Sequence, residues 1–364
     1  MSQSMSTLKQ RLAQAGISLN EPSSIAPLDS PWFVRVVQAF FGWLAALFLL
    51  GFIATAVVFV LKSSVASLVV GGLLIGGAFA LLRAARSDVL EHMALAFSLA
   101  GQLLVAWPAV ERWGFSASLW WSLLALQCVL ALIMPSQVHR SMSAFLASLA
   151  LTMALAANGL APVAIGMVVL VLTLLWLSEC RWPGRIGAVQ AWGAGLLMGV
   201  LVLQGQAYSN QLAWLYDSDA QWFDPWLASW LSTALVALAL VCVILQAFRQ
   251  HSQPTIAQRL VIYGAVALVA VVSVYMPGLG AGVTVLLLGF TLSHRMLMGS
   301  GILLLLMAAS NYYYWLEVTL LMKSLMLLAM GALLLSIRWV LKRWWLNRWL
   351  TVHKPAPQGD ANEP

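Results

Sequence analysis

The sequence predicts an all-α fold: a polytopic helical bundle in a membrane, with about twelve transmembrane helices and both termini in the cytoplasm. Three observations lead there. First, 62% of the 364 residues are hydrophobic and 9% are charged, whereas roughly a quarter of a soluble domain is charged. No single soluble core hides that much apolar surface, so the lipid bilayer is the expected solvent. Second, Lys and Arg crowd into alternate hydrophilic breaks. Third, Asn311–Trp345 opens on an aromatic rim, runs apolar to Ile337, and closes on Arg338, Lys342, Arg343, Trp344 and Trp345. That is the pattern of a span between an aromatic belt and a positive anchor.

Residues 1–30 read as a cytoplasmic segment with one short amphipathic helix, Leu8–Ile17, whose Leu8, Leu12 and Ala15 share a face. Ser23, Ser24, Pro27 and Asp29 form a linker, and Trp32, Phe33 and Arg35 mark a membrane surface. Residues 31–345 form the transmembrane domain. Its apolar runs lie near 38–61, 65–82, 89–107, 117–134, 142–158, 162–178, 186–204, 227–248, 259–276, 279–293, 298–315 and 318–337. The first lacks an A-x-A-like exit and reads as an uncleaved anchor. Several fall short of the ~20 residues of a perpendicular span, so tilted or re-entrant segments are expected among them. Residues 346–364 form a polar cytoplasmic tail.

The breaks carry the topology. One set holds Arg83 and Arg86, Arg140, Arg181 and Arg185, Arg249 and Arg259, Arg295, and finally Arg338 through Lys354, with Lys9, Arg11 and Arg35 before the first run. The other set holds Lys62 and Arg112, with Lys323 inside the last run. This positive-inside bias requires an even number of spans near twelve. The formal charge of +7 is therefore spent on orientation and forms no nucleic-acid footprint. The longest outer segment, Gly205–Trp226, mixes Asp217, Asp219 and Asp224 with three Trp. It reads as an acidic loop with aromatic anchors or as a helix lying on the surface, and lacks calcium-loop spacing.

Small residues recur every fourth position at Gly187, Ala191, Gly195 and Gly199, and again at Gly72 and Gly76. Such stripes let helices approach closely in lipid. Among polar residues, Glu91, Ser98 and Gln102 fall within ~40° of one another on a helix. Asp88, Glu91 and His92 sit beside them. Either these acids pair with Arg83 or Arg86 at the interface, or they begin a proton or ion path. Glu317 and Lys323 lie about 9 Å apart along a helix axis and well round from each other. Each needs a partner elsewhere, unless the lysine snorkels. Asn311, Tyr312, Tyr313 and Tyr314 form an aromatic belt or a docking rim.

His139, His251 and His294 fall in basic breaks and are expected at the interface. Cys128, Cys180 and Cys242 form no cluster and read as buried thiols. No Walker loop, HExxH, GxSxG elbow or mid-span His pair is present, so no catalytic residue, cofactor or metal is predicted.

Pro31–Phe52 (PWFVRVVQAFFGWLAALFLLGF), Leu90–Gln102 (LEHMALAFSLAGQ) and Tyr312–Leu335 (YYYWLEVTLLMKSLMLLAMGALLL) resemble a bacterial family of multi-pass membrane proteins, the domain-of-unknown-function family numbered 4401. The similarity runs from about Pro31 to Trp345, and Tyr312–Tyr314, Thr319, Lys323 and Ser324 match its closing motif. The resemblance implies an inner-membrane protein of Gram-negative bacteria and a small membrane-anchored or periplasmic protein partner bearing a GDYxxLxY motif. It supplies no catalytic residues.

Two functions remain. The first is a non-enzymatic scaffold that receives a membrane or periplasmic partner, which fits the missing catalytic sets and the tyrosine rim. The alternative is a secondary transporter of a small solute, using Glu91, Gln102, Glu317 and Lys323. Its helix breaks, at Asn158–Pro162 and Pro277–Gly282, fall near the outer surface, which weighs against a midplane site.

Overall fold

Backbone amides in lipid must bond within their own segment, so continuous apolar runs resolve as helices. The computed structural model describes residues 62–84, 88–179, 183–209, 224–250 and 256–315, with isolated positions 37, 44, 321, 324, 325, 328 and 335. Among the described residues there are ten α-helices, one 3-10 turn and no strand. The helices are α1 (Ser64–Ala84), α2 (Asp88–Trp113), α3 (Ala117–Ile133), α4 (Gln137–Ala156) and α5 (Ala161–Leu177). After the 3-10 turn Pro183–Arg185 come α6 (Ile186–Ser209), α7 (Pro225–Gln250), α8 (Ile256–Tyr275), α9 (Leu279–Thr291) and α10 (Arg295–Trp315). Six of them, α1, α2, α4, α6, α7 and α10, are long and apolar enough to cross a membrane. The apolar helices α3, α5 and α9, and the Arg259–Val274 stretch of α8, are shorter.

Ten of the expected apolar runs thus coincide with helices. The runs near 38–61 and 318–337 lie outside the described residues, as do the Leu8–Ile17 helix and most of Gly205–Trp226. Two boundaries differ from expectation. The α2 helix continues through Pro108 to Trp113. There Trp107 Nε1 donates to Glu111 Oε1 at 3.0 Å, and Ser64 Oγ on α1 donates to Glu111 Oε2 at 3.1 Å. At the start of α7, Asp224 Oδ1 accepts from the Trp226 amide at 2.9 Å, so that acid caps a helix.

The chain divides into two compact units. One comprises Met1–Gly114 with Ile133–His139, the other Phe115–Leu132 with Arg140–Pro364. In the first unit α1 and α2 pair. Gly71 and Gly101 meet at their crossing, where a Cβ on either would fall 2.7–2.8 Å from the other's carbonyl oxygen. Ser67 Oγ donates to Leu104 O at 2.6 Å beside them. The expected Gly72–Gly76 contact is not made: both glycines are exposed, with nothing within 4 Å of a Cβ. The close approach falls one residue earlier, at Gly71, which the spacing rule does not mark because Ile75 stands four residues on.

In the second unit the core gathers Val168, Val169 and Leu172 of α5, Leu197 and Val200 of α6, Val285 and Leu288 of α9, and Leu297 and Leu304 of α10. The short helix α5 is apolar all round: one face packs into this core, and the opposite one leaves Val171 and Leu174 exposed, as a helix that also meets lipid can. The α6 stripe behaves as its spacing predicts: a Cβ at Gly195 would meet the Ser141 carbonyl, and one at Gly199 the Ser148 hydroxyl, both on α4. Cys128 is exposed and Cys242 half-buried, against the expectation of buried thiols. A thiol is nearly apolar, so an outward position on a membrane helix costs it little.

Candidate functional site

The predicted polar residues occupy two places among the described residues, and a third candidate site holds none of them. In the first unit, Gln102 Nε2 donates to Ser98 Oγ at 3.1 Å, and Ser98 Oγ lies 2.7 Å from His139 Nε2. One turn along, Glu91 Oε1 accepts from Ser136 Oγ, which also accepts the His139 amide at 3.2 Å. The α2 stripe is therefore threaded into hydrogen bonds from the α4 start. His139 stands at the start of α4, at a helix end, but is not a surface residue: it is 1% exposed and held by Ser98. Adjacent Arg140 made it look like a surface residue, and its partner is too far away in sequence to be seen. His139→Ala leaves buried Ser98 short of a partner and opens a cavity. We expect a stability loss of about 2–4 kcal/mol, measured as thermal unfolding of the purified protein, with a smaller loss for Gln102→Leu.

On the last turns of α10, Tyr312 and Tyr314 are exposed, while Asn311 and Tyr313 are half-buried. Glu317 and Lys323 lie outside the described residues.

The third place was not singled out from sequence as a site. In the second unit a cavity of about 570 Å³ opens where the two helix breaks meet. One break is α4–α5: Asn158 Nδ2 donates back to Ala154 O at 2.8 Å, and Gly159 turns the chain at φ 75°. The other is α8–α9, where Gly278 does so at φ 90°. Both glycines sit in the left-handed region that side chains resist. Pro162 and Pro277 prevent each helix pair from fusing into one. The starts of α5 and α9 thus face the same space, lined by Ala161, Pro162, Gly278, Gly280 and Ala281.

Around these starts stand Thr152, Gln204, Gln206, Ser229, Ser232, Thr233 and Ser273. Most hydroxyls bond their own helix: Thr152 to Ser148 O, Thr233 to Ser229 O and Ser273 to Val269 O. Gln204 Nε2 donates to Leu304 O on α10 at 2.9 Å, which ties the cavity wall to the helix that ends in the tyrosines. Among the described residues no Asp, Glu, Lys, Arg or His lines the cavity. Among the described residues no three His, Cys, Asp or Glu side chains gather to hold a metal.

A second buried polar contact lies at the far ends of α5 and α9. His294 packs its ring 4.8 Å from that of Trp176, with His294 Nδ1 and Trp176 Nε1 both buried and lacking a hydrogen-bond partner among the described residues. A Cβ on Gly193 would strike Trp176 Nε1, so α6 presses on this pair. His294 stands at a helix end as expected, but inside the bundle.

Residues 31–344 match the family described as Domain of unknown function (DUF4401). The chain belongs to it. No curated protein and no solved structure matches the chain. The family description carries no activity, so the function has to be argued from the cavity.

Proposed function

We propose that this member of the family is a non-enzymatic, multi-pass protein of the bacterial inner membrane that carries a small solute through the α4–α9 cavity. About twelve spans with both termini in the cytoplasm complete the reading. The observation that carries it is the meeting of two broken helix pairs at one polar-lined cavity, the arrangement by which membrane carriers expose backbone to a solute. Helix length adds support. With 13 residues, α9 is about 20 Å long, well short of a ~30 Å hydrocarbon core. If its Arg295 end lies at the cytoplasmic surface, Gly278 stands inside the bilayer. The objection that the breaks lie at the outer surface loses its force. Arg83, Arg140, Arg185, Arg249, Arg259 and Arg295 all fall at or beside helix ends that an up-and-down path puts on one side, which supports the topology.

Counterflow tests this. Proteoliposomes loaded with a mixture of small cellular solutes should exchange at least one labelled solute well above protein-free vesicles. No exchange of any solute by folded protein would sink the reading.

The scaffold remains a second reading because Tyr312 and Tyr314 stand exposed at the end of α10. It expects a stoichiometric membrane or periplasmic partner, such as the GDYxxLxY protein, to copurify from native membrane and to be lost in Tyr312→Ala/Tyr314→Ala.

A further inference from the structure

Three features of the cavity bear on what it holds. The first is the start of α9. Its cap, Gly278, has no side chain to offer, and no side chain caps the helix from elsewhere. The Leu279 amide bonds Met276 O at 3.2 Å and the Gly282 amide bonds Gly278 O at 3.0 Å. Between them, the amides of Gly280 and Ala281 take no acceptor among the described residues, although Gly280 and Ala281 are both buried. Buried helix starts are satisfied by a cap, by water or by a ligand.

The second is Ser232, which lines the same cavity, is 8% exposed, and has no hydrogen-bond partner among the described residues. Its neighbours Thr152, Thr233 and Ser273 all close on their own helices, and Ser232 does not. Its hydroxyl is left open to an acceptor inside the cavity.

The third is charge. Two uncapped helix starts, α5 and α9, face one space. Each contributes the equivalent of roughly half a positive charge. Together they match about one negative charge, and among the described residues no Lys or Arg lines the cavity to balance a second. Beside the polar Thr152, Gln204, Gln206, Ser229, Thr233 and Ser273, the wall is apolar, with Leu149, Met153, Ile165, Val202, Val236 and Val274.

We infer that the cavity binds a small organic monoanion, a monocarboxylate with an apolar body. Resting on the solute-carrier reading, the assignment adds the substrate class. The carboxylate accepts from the Gly280 and Ala281 amides and the Ser232 hydroxyl, and the apolar body lies against Val236 and Ile165. A dicarboxylate or a phosphate monoester brings a second charge that nothing in the lining meets. An ammonium ion finds helix starts of the wrong sign.

The probe pair is 4-methylpentanoate and its uncharged isostere 4-methylpentanamide, titrated onto the full chain in lipid nanodiscs by calorimetry. The carboxylate should bind at least tenfold more tightly than the amide. Ser232→Ala, which removes one donor and no volume the fold depends on, should weaken the carboxylate about fivefold or more and leave the amide unchanged. Thermal unfolding without ligand checks that the variant is folded. Equal binding of carboxylate and amide, both lost in Thr233→Trp, whose indole fills the cavity, would overturn the anion assignment while leaving a solute cavity in place. Binding of neither probe, or binding that ignores both Ser232→Ala and Thr233→Trp, would overturn the assignment outright. The carrier reading then stands or falls on counterflow alone.

Discussion

Gly195→Val is expected to remove most of the folded protein. A Cβ at this position would run into the Ser141 carbonyl and lie 2.9 Å from the Ala144 Cβ, both on α4. A flexible side chain in the way could rotate, but a carbonyl of a neighbouring helix moves only if the helix does. Overpacking a core costs typically 1–3 kcal/mol when side chains yield, so a backbone obstacle should exceed about 3 kcal/mol. Close approach also carries much of helix association in lipid, where apolar burial gives little. Gly72→Val is the control: no atom lies within 4 Å of its Cβ, and a change within about 0.5 kcal/mol is expected there. Fluorescence-detected size exclusion after heating separates the two. Equal loss in both would mean that the α4–α6 crossing is not where the structure has it.

The contrast between these glycines shows what was legible in the sequence. Continuous hydrophobicity broken by Gly, Pro and Arg locates ten helices closely, because lipid leaves the backbone no alternative to the helix. Spacing alone also predicted the α6 stripe, whose Gly195 and Gly199 both meet α4, while Gly193 on the same helix meets Trp176 instead. On α1 spacing marks Gly72 and Gly76, but Gly71 makes the contact, and only Gly101 on α2 selects it. The Glu91–Ser98–Gln102 stripe was visible as a face, whereas its acceptor and donor partners, Ser136 and His139, were not. The cavity was the least legible feature. Each break was visible as a Gly and Pro interruption, but their convergence depends on α5, α7 and α9 packing together. No local pattern records that packing.

Thr233→Trp should lower solute exchange at least tenfold while the protein folds normally. Thr233 lines the cavity, is only half-buried, and spends its hydroxyl on its own helix through Ser229 O at 3.0 Å. Its loss therefore leaves no buried partner stranded, which keeps the cost in stability below about 1 kcal/mol. An indole is the largest apolar body a single substitution can place there, and it projects into space of the size that ligand pockets occupy. The mutation separates the two functional readings cleanly. A carrier loses counterflow, and probe binding falls with it, whereas a scaffold keeps its partner, because Tyr312 and Tyr314 lie at the end of α10, outside the cavity lining. Exchange that persists at the wild-type rate in a folded Thr233→Trp protein means that solute does not pass through this cavity. Loss of a copurifying partner in the same variant would instead make the cavity part of a docking site, with the α4–α5 and α8–α9 breaks shaping a protein surface.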